Sequence, residues 1–148
     1  MALRRAVLLL CLAGGVAIAD DRSAEVNYML HCQGCHLPDA RGVAGRVPPM
    51  KDFAGWFLHS DEGRDFLIRV PGVAQSALTS DEVAELMNWL VTTFSAAELP
   101  EPFVPFTAAE VAGLRANPVG NPASAREVIL ADLAARLPGL RDALDGME

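Results

Sequence analysis

The sequence predicts an all-α chain. Apolar residues return at steps of three and four in several windows, which is the period of one helix face. Hydroxyl residues followed by acids open two of those windows, as helix N-termini do. After residue 19 there is no run rich in Val and Ile that would read as a buried strand.

The elements follow in order. Residues 1–19 read MALRRAVLLLCLAGGVAIA, with Arg4 and Arg5, a short apolar run, and Ala17 and Ala19 at the −3 and −1 positions of a cut before Asp20. That is the pattern of an export signal peptide. The apolar run falls short of the roughly 20 residues that span a bilayer, and nothing later is long and apolar enough, so no stable membrane insertion is expected. The 148 residues leave room for one compact domain, assigned to 20–97, and a Pro-rich linker with a helical extension over 98–148. A first helix covers 23–30, with Val26, Tyr28, Met29 and Leu30 as its apolar members. Gly42 and Gly45 then allow a tight loop, which Pro48-Pro49 stiffens at its exit. Two short helices are expected over 53–58 and 61–70. Residues 80–94 form the strongest helix: Val83, Leu86, Trp89, Leu90 and Phe94 share one face, Ser80 is the expected N-cap, and Asp81 and Glu82 sit at the positive end of the dipole. The run LPEPFVPF over 99–106 should be extended. Thr107 and Glu110 make a capping box for a helix to Arg115. A last helix covers 124–137, with Val128, Leu130, Leu133 and Leu137 among its apolar residues, and ends near Pro138-Gly139. This tail would wrap back onto the domain through Phe103 and Phe106, or else present a docking face.

The formal net charge is −7, and residues 1–19 carry two Arg and no acid, so the chain without them stands at −9. Such a surface repels nucleic acid and anionic lipid and suits a partner with a basic docking patch.

Residues 31–36 read HCQGCH, and this stretch decides the chemistry. Cys11 leaves with the signal peptide, so only Cys32 and Cys35 remain. A disulfide two residues apart closes too small a loop to staple a fold. A thioredoxin-like CxxC belongs after a buried strand, and a helix precedes this one. A structural zinc site needs four ligands, and His31 and His59 do not complete one. There remains CxxCH, the attachment signal for c-type haem: two thiols one helical turn apart reach the two vinyl groups, and His36 is directed at the iron as proximal ligand.

With these residues in view, the chain resembles the class I c-type cytochromes over about 23–95. The resemblance implies that Tyr28, four residues before the first Cys, packs against Trp89 where the first helix crosses the 80–94 helix. It also implies that the Pro48 carbonyl accepts the proximal His36 Nδ1–H, fixing the tautomer of the ring. The cofactor would be one covalently bound haem c. Phe53, Trp56, Phe57, Phe66, Leu67 and Val70 would wall it, with Trp56, Arg64 and Arg69 available to its propionates.

The resemblance breaks at the sixth ligand. The family usually has a Met in the loop before its last helix; here that loop reads RVPGVAQSAL over 69–78, with Val70 where the Met would be wanted. Met50, His59 and Met87 are the candidate substitutes. Met50 also reads as proximal packing, His59 as an exposed turn residue and Met87 as core. The remaining option is no strong protein ligand. The function implied is a periplasmic electron carrier, not an enzyme, between redox proteins such as a periplasmic dehydrogenase and an oxidase. The alternative is a haem-based binder or sensor of NO, CO or peroxide with an open distal site.

Overall fold

The structure, a computed structural model, describes residues 21–146; the expected signal peptide over 1–19 lies outside them. Among the described residues the chain forms α1 (Asp21–His31), α2 (Gln33–His36), α3 (Asp61–Arg69), α4 (Pro71–Ala74), α5 (Ser80–Phe94), α6 (Ala108–Arg115), α7 (Pro122–Arg136) and α8 (Pro138–Asp145). 3-10 helices cover Ala54–His59, two turns, and Ala96–Glu98, one turn. The only extended pairing among these residues is one bridge between Val43 and Val47. The all-α expectation is met.

The frame is the crossing of α1 with α5. Tyr28 is buried there, its ring 5.6 Å from Trp89 and 5.3 Å from Phe94, and Trp89 meets Phe94 edge-on at 5.4 Å. The offset and edge-on arrangements match the positive rim of one ring to the negative face of another, worth about 1 kcal/mol per pair beyond area burial. The rest of α1 does not follow its apolar pattern. Val26, Met29 and Leu30 are 44%, 54% and 72% exposed, so the helix is held through Ala24 and Tyr28. α5 covers the expected residues, but its cap is Thr79 rather than Ser80: the Thr79 hydroxyl accepts from the Glu82 N–H, and the Glu82 carboxylate accepts from the Thr79 N–H. Ser80 has Val83 three residues on and cannot close such a box.

Two apolar clusters lie in the interior. One gathers Tyr28, Ile68, Val83, Leu86, Met87, Leu90, Val91, Phe106 and Val111. The other gathers Phe53, Phe57 and Phe66 with Leu130, Leu133 and Leu140. Both take members from beyond residue 98. Phe106 is buried in the first, while α7 and α8 supply half of the second; the Phe57 and Phe66 rings stack at 5.3 Å beneath them. α8 was not expected, because Pro138-Gly139 reads as a stop. Here Pro138 instead occupies the first turn of a new helix, where its missing N–H costs nothing.

Polar bonds fasten the tail to the rest of the chain. Arg64 donates to both carboxylate oxygens of Glu110 at 2.5 and 2.9 Å and to the Val104 and Pro105 carbonyls, with its guanidinium 4.1 Å from the centre of the Phe106 ring. The Asn88 amide exchanges two bonds with the Phe106 backbone, at 2.7 and 3.0 Å. Arg69 Nε donates to the Asn117 carbonyl, and the Val119 N–H donates to the Arg69 carbonyl. Arg64 and Arg69 are thus tail anchors.

Candidate functional site

The site grows out of α1. The Cys32 N–H donates to the Tyr28 carbonyl at 2.9 Å, continuing the helical path, and the Cys35 and His36 N–H groups both donate to the Cys32 carbonyl, at 3.2 and 3.0 Å. This winding brings Cys32, Cys35 and His36 into one turn. Both cysteines are free thiols, Cys32 half-buried and Cys35 exposed. Burial pushes the Cys32 thiol up to about 11, so it is protonated at neutral pH.

Immediately after His36 the backbone is strained. Leu37 has φ 67° and ψ 164°, a conformation that glycine adopts freely and that costs other residues on the order of 1–3 kcal/mol. Its neighbours hold it there. The Leu37 N–H donates to the Gln33 carbonyl at 2.8 Å, and the Tyr28 hydroxyl donates to the Leu37 carbonyl at 2.6 Å. Tyr28 therefore has a second role beyond packing. Burial, then the neighbouring Cys32, pushes its phenol up to about 12, so it stays a donor.

The loop beyond then folds back. The Gly42 N–H donates to the His36 carbonyl at 3.1 Å, and the Val43–Val47 pair closes a tight turn. Gly42 has φ +69°, and a Cβ there would lie 2.3 Å from the Val47 carbonyl oxygen and 2.7 Å from that of Pro48, so only glycine lets these two segments of the loop approach. This closure sets Pro48 beside His36. The His36 Nδ1 is buried and has no partner meeting full hydrogen-bond geometry, although the Pro48 carbonyl lies near enough to favour the protonated ring. Burial is the larger influence and holds the imidazole below its ordinary pKa, hence neutral, as an iron ligand must be.

The other residues singled out in the sequence lie as follows. Trp56 and Phe66 belong to the second cluster, and the Trp56 indole sits so close to Gly139 of α8 that a Cβ there would be 2.9 Å away. His59 Nε2 lies 3.0 Å from the Glu98 carbonyl oxygen, and its ring leans on Trp56 at 5.6 Å. Met87 is buried on α5. Met50 packs against the first cluster, its N–H donating to the Ala40 carbonyl at 2.8 Å. Arg115 was not singled out. Its guanidinium donates to the Ala74, Ser76 and Leu78 carbonyls at 3.1, 2.6 and 2.8 Å, fixing the segment between α4 and α5. Backbone carbonyls leave no mark in a sequence, so nothing there announced this clamp.

A covalently attached haem asks a chain for two reduced thiols a turn apart, a neutral imidazole next to them, and an acceptor for the far nitrogen of that imidazole. The orphaned buried Nδ1 beside Pro48, and the loop closed at Gly42 to bring it there, fit that request. Among the described residues there is no cluster of three or more His, Cys, Asp or Glu that could hold a bare metal ion.

Comparison with known proteins agrees. No protein-family model matches the chain. Over 133 residues it is 30% identical to a cytochrome c-552 of Thermus thermophilus, a match covering 78% of this chain and 88% of that protein. A second Thermus thermophilus cytochrome c-552 is 32% identical over 104 residues, covering 58% of this chain and 79% of that protein.

Proposed function

Because the chain belongs to the c-type cytochromes, with haem c covalently bound, we propose that it is an exported carrier of single electrons, with one haem held at Cys32, Cys35 and His36. The observation that carries the site assignment is the short helix that places both thiols and the neutral His36 in one turn, with the buried Nδ1 facing the Pro48 carbonyl.

When bound, the haem supplies iron that moves between two oxidation states one electron apart. The residues of this chain set the conditions for that. Cys32 and Cys35 tie the group to the chain, so it is not lost between partners. His36 would offer the iron a ring nitrogen, and the nearby Pro48 carbonyl would favour the proton on the other, which raises the donor strength of the first. The strained Leu37, pinned by the Tyr28 hydroxyl, holds the imidazole against drift, and a site that moves little has little to reorganise when charge arrives. Cys35 is exposed, so an edge of the attached group would approach the surface there, where a partner can come within tunnelling distance.

The expected location is the periplasm. Supporting it are the leader-like residues 1–19, and no helix among the described residues is long and apolar enough to cross a membrane. The partners would be a periplasmic dehydrogenase as donor and an oxidase as acceptor, docking through basic patches on an acidic surface. To test this, the chain is expressed with its leader in a bacterium able to mature c-type haem. The periplasmic product is then characterised by intact mass and pyridine haemochrome spectrum. A mass of the chain from Asp20 plus one haem, with the spectrum of two thioether bonds and reversible one-electron reduction, is expected. A haem-free product, or a mass carrying two haems, would overturn the proposal.

A further inference from the structure

We infer that the described residues of this chain give its haem iron one ligand, His36, and leave the other position to a small neutral ligand of the carbon monoxide or nitric oxide class. This rests on the attachment reading above and goes beyond it, because it fixes what else the iron can bind.

The argument is a census of donors. Haem iron is held by a His nitrogen, a Met or Cys sulfur or a Tyr oxygen, with a Lys nitrogen as a further candidate. Tyr28 is buried and its hydroxyl donates to the Leu37 carbonyl at 2.6 Å, which engages it. Apart from Tyr28, Cys32, Cys35 and His36, the described residues offer His31, His59, Met29, Met50, Met87 and Lys51. His59 is engaged: its Nε2 is 3.0 Å from the Glu98 carbonyl, its ring leans on Trp56, and Glu98 is itself held by the Ser95 hydroxyl at 2.7 Å. Met87 is 4% exposed inside the α5 core, and turning it out would leave a cavity. Met50 packs against the first cluster, in the loop whose Pro48 carbonyl lies by the His36 Nδ1, so it belongs to the loop that backs His36. Met29 and His31 lie on the exposed part of α1 within three residues of the attachment point. Lys51 is the next residue of the same loop as Met50, and that loop is held in place through its backbone, the Met50 and Lys51 N–H groups both donating to the Ala40 carbonyl, at 2.8 and 3.0 Å.

The segment between α3 and α5 cannot supply the ligand either. Residues 70–79 read VPGVAQSALT, with no ligating side chain. The three Arg115 bonds to alternate carbonyls hold it in place, so it has no slack with which to bring a neighbouring donor over. The ligand class follows from charge and size. Without residues 1–19 the chain stands at −9, which disfavours anions, and with residues 70–79 fixed by Arg115 a ligand of a few atoms enters without moving them.

The test uses the matured wild-type protein. Its ferrous form is examined by absorption and resonance Raman spectroscopy with and without CO, alongside a pyridine haemochrome assay. The expected result is a covalent haem that is five-coordinate and high-spin when ferrous, and that binds CO stoichiometrically at a rate proportional to CO concentration. A covalent haem that is low-spin and unchanged by CO would overturn this inference alone, whichever residue proved to be the ligand; Met50→Leu, His59→Gln and Met87→Leu would then identify it by conversion to high spin. A chain without covalent haem would overturn the attachment reading and this inference together.

Discussion

The two sides of this molecule are built on different logic. The attachment side, from Tyr28 to Met50, is assembled by neighbours in sequence: helical bonds from Tyr28 through His36, a strained Leu37, and a turn closed at Gly42. The opposite side, from α3 through the tail, is assembled by bonds spanning about forty residues, with Arg64, Arg69 and Arg115 each reaching across to carbonyls or to Glu110. The first side positions reactive groups and tolerates strain to do so. The second carries no reactive group and is cross-braced. The candidate site is specified locally, and the packing of the tail on the rest of the chain is specified at long range.

The sharpest way to break that contrast is at the thiols. Cys35→Ala should abolish normal attachment, leaving haem bonded once or lost, while the helical content of the chain is retained. Intact mass and the pyridine haemochrome spectrum read this directly, and full double attachment in the variant would remove Cys35 from the site.

The next test asks whether the braced side is part of one cooperative unit. Leu133 of α7 is completely buried, in one cluster with the Phe53, Phe57 and Phe66 rings. Leu133→Ala should cost about 3 kcal/mol. Since half of that cluster comes from the tail, the loss should lower a single unfolding transition followed by both haem absorbance and far-UV circular dichroism. A separate early transition, with the haem signal unmoved, would make the tail an independent appendage.

How legible each side was in the sequence follows the same division. CxxCH, the Tyr28–Trp89 pairing, the α5 face and the Thr107–Glu110 box all act within a few residues or through a strong period, and all were readable. Periodicity misled where an apolar residue had no core to face: Val26, Met29, Leu30 and Val128 were grouped with the apolar faces of their helices, yet all four are exposed. Arg64 and Arg69 looked available to propionates because a sequence displays charge and conceals carbonyls. Their partners are the backbone of residues 104, 105 and 117 and the carboxylate of Glu110.

A smaller effect probes the strained turn. Tyr28→Phe removes the 2.6 Å bond to the Leu37 carbonyl and keeps the ring packing. The loss should be about 1–2 kcal/mol, near the upper range for a neutral hydrogen bond, because the freed carbonyl belongs to a residue already under strain. If Leu37→Gly is introduced as well, the relief of strain should recover part of that loss. No recovery in denaturant unfolding would show that the hydroxyl does not hold the turn.

The smallest effect separates charge from packing on the braced side. The Arg64 hydrogen bond, followed by opposing burial and the Arg64 charge, holds the Glu110 carboxyl below the ordinary carboxylate range. A carboxyl depressed in the folded state stabilises it above the unfolded pKa, about 4.3, and that contribution fades as pH falls through the folded value. Asp65 titrates in the opposite sense: burial raises it first, so its contribution improves as pH falls, but it is present in wild type and variant alike. Glu110→Gln should therefore cost about 1 kcal/mol at pH 7, for a pair that is only partly shielded from solvent. The difference from wild type should shrink steadily below pH 4, as the wild-type carboxyl becomes neutral like the amide. Urea midpoints for both proteins at stepped pH would show this. A difference that stays constant across the acid range would mean that Glu110 acts by shape and that the cross-brace rests on the carbonyl bonds alone.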